Sequence, residues 1–104
     1  MTRALLVLLA LAWSVLAGAQ GAGKAVYDKS CALCHGAGIA GAPRFGQAAD
    51  WSARVARGKP ALYASAISGT PKGMPAKGGN LGLSDADVRA AVDYMVAAVP
   101  AIST

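Results

Sequence analysis

Two cysteines stand three positions apart with a histidine directly after the second, in the stretch Cys31-Ala32-Leu33-Cys34-His35. They are the chain's only cysteines, and His35 is its only histidine. At this spacing each thiol can add to a vinyl group of one haem, and the adjoining imidazole can reach the iron from one face. The pattern therefore reads as a site of covalent c-type haem attachment. A fold built on it must wrap a large, flat, apolar plate. Competing readings explain less. A structural zinc site takes four Cys or His ligands, and this chain offers three, crowded into five positions. A thioredoxin-like C-x-x-C calls for βαβ surroundings, and no alternating, strand-like run flanks this one. A plain disulfide in an oxidising compartment leaves His35 without a role.

The amino terminus indicates where such chemistry takes place. Arg3 supplies positive charge, Ala4 to Ala17 is uncharged and Leu-rich, and Ala17-Gly18-Ala19 is a small-x-small signal. This is the layout of a secretory signal peptide, with cleavage expected between Ala19 and Gln20. The alternative is an uncleaved membrane anchor. A spanning helix needs about 20 predominantly apolar residues, which this run reaches only if Gly18, Ala19 and their neighbours are counted. Export also suits haem attachment, which takes place in an outward-facing compartment, the periplasm of a bacterial cell. The expected organisation is a signal peptide over residues 1–19 and one domain over 20–104, with no membrane span after cleavage.

A domain this small buries a modest core and often needs a staple or cofactor. The 55% apolar fraction is inflated by the leader and by alanine, and Phe45 is the single phenylalanine. A covalently tied haem makes up the shortfall in bulky side chains.

The remaining pattern is helical, punctuated by Gly and Pro. A first helix runs from about Ala22 to Ser30 into the cysteine motif, with Val26 and Ser30, and Tyr27 and Cys31, four apart on shared faces. Gly36 to Pro43 holds three glycines and a proline and reads as loop. Asp50 is expected to cap a helix over Trp51 to Arg57 that ends at Gly58. Pro60 suits a first helical position, and the next helix, through Ile67, stops at Gly69. Thr70 to Asn80 is again loop. Ser84 with Asp87 forms a near capping box, followed by Val88, Ala91, Val92 and Met95 at i, i+3, i+4 and i+7, with Pro100 closing the stretch. Tyr63 and Ile67 read as core. The expectation is an all-α bundle of about four helices wrapped around one haem.

A second axial histidine is ruled out by composition, and Met1 belongs to the leader, which leaves Met74 and Met95. Met95 lies on the apolar stripe of the last helix and reads as core. Met74 lies in a Gly-Met-Pro loop that can wrap the far face of the haem, with Pro75 stiffening the approach. Met74 is thus the candidate second iron ligand, against an open or water-bound site. His/Met ligation raises the reduction potential and leaves no vacant position for substrate, which suits electron transfer rather than catalysis.

In these features the chain resembles the class I monohaem c-type cytochromes, in particular the small bacterial branch called cytochrome c-five. The resemblance rests on Gly23 and Tyr27, the motif Cys31 to His35, and Gly41-Ala42-Pro43. It continues through Trp51, Met74-Pro75-Ala76-Lys77-Gly78-Gly79 placed 39 residues past His35, and Ser84-Asp85 leading to Tyr94-Met95. It implies that Gly23 lets the first helix cross the last closely near Tyr94, with Tyr27 packed beside the haem. It implies that Pro43 offers its carbonyl to the Nδ1–H of His35. Trp51 and Arg54 would lie near the haem propionates. Core packing for Trp51 and a solvated surface charge for Arg54 stand as alternatives. Many relatives in that branch carry a second cysteine pair forming a disulfide before the last helix. Here Gly79 to Leu83 has none, and Leu81 and Leu83 are expected to replace the bridge by packing.

The formal charge is +5, or +4 once Arg3 leaves with the leader. Lys72 and Lys77 flank Met74, while Lys24 and Lys29 precede the motif, so a positive ring at the haem edge is expected to steer an acidic redox partner. A generic basic surface is the alternative. Modest charge, few aromatics and export argue against nucleic acid. The expected function is a periplasmic electron carrier cycling Fe(III)/Fe(II) between donor and acceptor proteins. The alternatives are a haem subunit of a heteromeric dehydrogenase or sulfur-oxidising complex, or a haem sensor or weak peroxidase.

Overall fold

The computed structural model describes residues 21–99, and every regular element among them is helical. The expected signal segment, its cleavage point and Pro100 lie outside the described residues. Five helices follow in order: α1 over 21–30, α2 (Ala32–His35), α3 (Ala48–Val55), α4 (Lys59–Ser68) and α5 (Asp85–Ala97). Two short 3₁₀ turns, Ile39–Gly41 and Ala76–Gly79, shape the long loops. Four helices match the sequence pattern, and the extra one is the single turn that carries the cysteine motif.

The frame is α1 crossing α5, with α4 packed on α5 and on the Ala76–Gly79 turn. At the crossing, Gly23 is pressed so closely to α5 that a Cβ there would lie 2.4 Å from the Ala90 carbonyl oxygen and 3.2 Å from Tyr94 Cβ. Tyr27, one turn on, packs in tilted contacts against Phe45 at 4.9 Å and Tyr94 at 5.5 Å between ring centroids. The tyrosine thus anchors the crossing and is not part of the cleft wall described below.

The last helix forms as its sequence indicates. The Ser84 hydroxyl accepts from the Asp87 amide at 3.0 Å, and the Asp87 carboxylate accepts from the Ser84 amide at 3.4 Å, which completes the capping box. Val88, Ala91, Val92 and Met95 are buried in one stripe and meet Leu62 and Ala66 of α4. Pro60 stands in the first turn of α4, and Gly69, at φ 79°, ends that helix.

Three local expectations change. Asp50 does not cap α3, which starts earlier, at Ala48 after Gln47. Asp50 sits in its first turn, where the carboxylate accepts from the Arg44 amide (3.0 Å) and guanidinium (2.7 Å). Tyr63 packs half-buried against the core, as Ile67 does, rather than within it, and its hydroxyl donates to Asp93, which also pairs with Lys59 at 3.2 Å. Leu81 does not pack in place of a disulfide but stands 74% exposed. Leu83 alone packs against the core. The segment is held instead by polar bonds from Lys77 and Asn80.

Candidate functional site

The ladder of α1 runs on through the Cys31 amide, which donates to the Tyr27 carbonyl at 2.9 Å. The Cys34 and His35 amides both donate back to the Cys31 carbonyl, at 3.3 and 3.1 Å. The motif is therefore wound on one tight turn, which sets the two thiols on the same side three residues apart. Both thiols are free. Burial pushes the Cys31 thiol above its ordinary value, the opposite of the depressed thiolates of disulfide oxidoreductases. Among the described residues, no group of three or more His, Cys, Asp and Glu side chains converges as a metal-binding set, which removes the zinc reading.

His35 is 7% exposed, and its Nδ1 lies 2.9 Å from the Pro43 carbonyl oxygen. A carbonyl only accepts, so Nδ1 carries a proton, and in the neutral ring Nε2 is the nitrogen with the lone pair. The loop is shaped for this contact. Gly38 turns it at φ 81°, and the Phe45 amide closes it on the His35 carbonyl at 2.7 Å. Trp51 backs the imidazole at 6.0 Å between ring centroids, and both rings are buried. The Trp51 N–H is donated to the Arg44 carbonyl at 2.9 Å. It is spent inside the protein, in keeping with packing and not with a propionate bond.

Cys31, Cys34, His35, Pro43, Trp51, Arg54 and Met74 all line a single cleft of about 1100 Å³. Met74 enters from the loop after α4. Its carbonyl accepts from the Thr70 amide at 2.9 Å, and its own amide lies 3.4 Å from Thr70 Oγ1. The loop can fold back this tightly because Gly69 has no side chain. A Cβ there would fall 2.7 Å from the Met74 oxygen. Gly69 is thus a site-shaping residue that the sequence marks only as the stop of a helix. Met95 reaches the same cleft but belongs to the α5 stripe, 3% exposed.

The charge around the cleft is one-sided. Lys29, Arg54, Arg57 and Lys72 line it, and among the described residues no carboxylate does. The chain's five acids are engaged elsewhere: Asp28 with Lys24, Asp50 with Arg44, Asp85 with Lys77, Asp93 with Lys59, and Asp87 in the cap. This redraws the expected ring. Lys24 and Lys77 are paired and leave it, while Arg57 joins. Arg54 donates to the Asp50 carbonyl of its own helix at 2.6 Å and is otherwise exposed.

The residues fit a covalently held haem. Two free thiols, an imidazole with its far nitrogen already oriented, and a thioether share a cleft whose floor is formed by Leu62, Ala66 and Val92. A helical bundle with such a cleft defines a class, the small haem c proteins.

Comparison with known proteins agrees. A family model described as cytochrome c oxidase, cbb3-type, subunit III matches residues 18–95. Cytochrome c-555 of Chlorobaculum tepidum is 53% identical over 78 residues, 72% of each chain. Cytochrome c5 of Azotobacter vinelandii is 36% identical over 80 residues, 75% of this chain and 95% of the relative. A chain in the crystal structure of an electron transfer complex of nitrite reductase with cytochrome c superposes with a TM-score of 0.69. It is 39% identical, and the match covers 74% of this chain and 93% of that one. The chain belongs to the cytochrome c family, as a class I, c5-like electron-transfer protein with one covalently attached haem c.

Proposed function

We propose that this cytochrome is a periplasmic one-electron carrier in which Cys31 and Cys34 hold the haem and His35 and Met74 ligate its iron. Bound haem supplies the Fe(III)/Fe(II) couple. The residues around it do the rest. The Pro43 carbonyl holds the His35 ring and raises its basicity through the Nδ1–H bond. With haem bound, the Met74 thioether would favour the ferrous state and leave no open position at the iron. The low exposure of His35 and Trp51 keeps water from the proximal side.

The observation that carries this reading is the convergence of His35 and Met74, far apart in sequence, on the wall of one cleft. Partners are proposed to be redox proteins with acidic docking faces, on the ground that, among the described residues, no cation lining the cleft has a carboxylate partner. Among the described residues no helix is long and apolar enough to cross a membrane.

The test is Met74→Ala. The haem should remain attached, the ferrous iron should gain carbon monoxide binding, and the potential should fall. An unchanged potential and spectrum would rule out Met74 as ligand. A second reading, a haem subunit within a larger redox complex, is favoured by the oxidase-subunit description of the matching family model. Stable co-purification with another polypeptide would select it.

A further inference from the structure

The loop that carries Met74 is tied down at its far end by contacts that haem binding itself does not require. Lys77 adopts φ 55°, a left-handed conformation that residues with a Cβ seldom take and that persists only where surroundings hold it. Its ammonium donates to the Leu83 carbonyl at 2.7 Å and pairs with Asp85 at 3.2 Å. The Lys77 side chain is 20% exposed, whereas the cations of the other three ion pairs are 52–59% exposed. Leu83 and Asp85 flank the Ser84 cap, so the lysine grips the start of α5.

The next residues grip α1. Gly78 passes so close that a Cβ would lie 2.2 Å from the Ser30 carbonyl oxygen, one residue before Cys31. The Asn80 side chain donates to Ser30 Oγ at 3.3 Å and accepts from the Gly82 amide at 3.3 Å. The link back toward Met74 is short, since the Gly78 amide closes a turn on the Pro75 carbonyl at 3.1 Å.

We propose that Lys77, through the Leu83 carbonyl and the Asp85 carboxylate, is a positioning residue for the Met74 thioether. It clasps the loop to the corner where α1 meets α5. Releasing the clasp lets the loop lift while the bundle stays folded, and so controls access of small ligands to the iron. This rests on Met74 being the axial ligand.

The experiment uses the haem-loaded protein and the variants Lys77→Ala, Asp85→Asn and Met74→Ala. The Lys77→Ala variant keeps the Cβ, so the left-handed backbone is retained while the ammonium is lost together with its alkyl stem. Carbon monoxide binding to the ferrous protein reads the open fraction, and amide hydrogen exchange at Gly78 and Ala91 reads loop and bundle separately. Lys77→Ala should raise the open fraction about tenfold, as expected for loss of hydrogen bonds from a charged group. Asp85→Asn should raise it about two- to threefold, because that pair is half exposed and screened. Gly78 exchange should accelerate in step while Ala91 exchange is unchanged. If Met74→Ala opens the iron and the other two variants stay as closed as the parent, the clasp is wrong and the ligand assignment stands. The clasp also fails if Ala91 exchange accelerates equally, since Lys77 would then serve general stability. If Met74→Ala itself leaves the iron closed, both the ligand assignment and the clasp fall.

Discussion

His35 shows how much one side chain's surroundings decide. The Pro43 contact places a proton on Nδ1 and fixes the direction in which Nε2 points, and the Trp51 ring limits how far the imidazole can tilt. Asp50 is a second case. Hydrogen bonds from Arg44 hold its carboxyl down at about 2, below the ordinary 3.8. The pair's contribution to stability is therefore complete above about pH 4 and is lost as pH falls through about 2. Acid unfolding of Asp50→Asn should begin from lower stability at neutral pH and show a flatter pH dependence in that window, converging with the parent at the acid end. Identical acid limbs would mean that Arg44 and Asp50 do not interact appreciably in solution. At this scale the motif Cys31 to His35 and the loop position of Met74 are legible because local spacing expresses them. The fates of Lys24 and Lys77 are not. Whether a lysine joins the cleft edge depends on which aspartate lies near it, and Asp85 meets Lys77 only after the loop has folded back.

Among the elements, α5 is the most readable, since its cap and apolar stripe both lie in one continuous segment. Ser84→Ala should cost about 1 kcal/mol, measured as a lower denaturant midpoint with an unchanged slope. Gly23→Ala should cost more, about 3 kcal/mol, because the new Cβ meets the backbone oxygen of Ala90 and not a side chain that could rotate away. Equal tolerance of both changes would contradict the close crossing of α1 and α5. The start of α3 is less legible in the sequence. Asp50 has the chemistry of a cap, but its carboxylate is taken up by the Arg44 amide and guanidinium, and the helix begins before it, after Gln47, with no side-chain cap. Leu81 misleads for a similar reason. Apolar residues at the site of a missing disulfide suggest packing, whereas polar bonds to Ser30, Leu83 and Asp85 already secure that segment.

Across the whole molecule, charge and burial divide the surface into two regions. All five aspartates are engaged away from the cleft, and its edge keeps Lys29, Arg54, Arg57 and Lys72 together with Leu33, which is 80% exposed. Association with an acidic redox partner should slow steeply as salt rises. Arg57→Glu with Lys72→Glu should reduce the association rate while leaving the potential nearly unchanged. Rates indifferent to both salt and charge reversal would argue for a purely apolar docking face. The cleft also cuts into the core itself, since Leu62, Ala66, Val92 and Met95 line it. Helix content alone could not show this, because periodicity marks a buried face without saying what covers it. The central claim is that this cover is one haem, tied to Cys31 and Cys34 and ligated by His35 and Met74. An absorption spectrum of the exported protein tests it most directly, recorded oxidised, reduced, reduced with carbon monoxide, and as the denatured pyridine adduct. The account predicts a c-type pyridine spectrum, a weak long-wavelength iron–sulfur band in the ferric protein, and no response to carbon monoxide. Haem that is absent or extractable, or a ferrous iron that readily takes carbon monoxide, would contradict it.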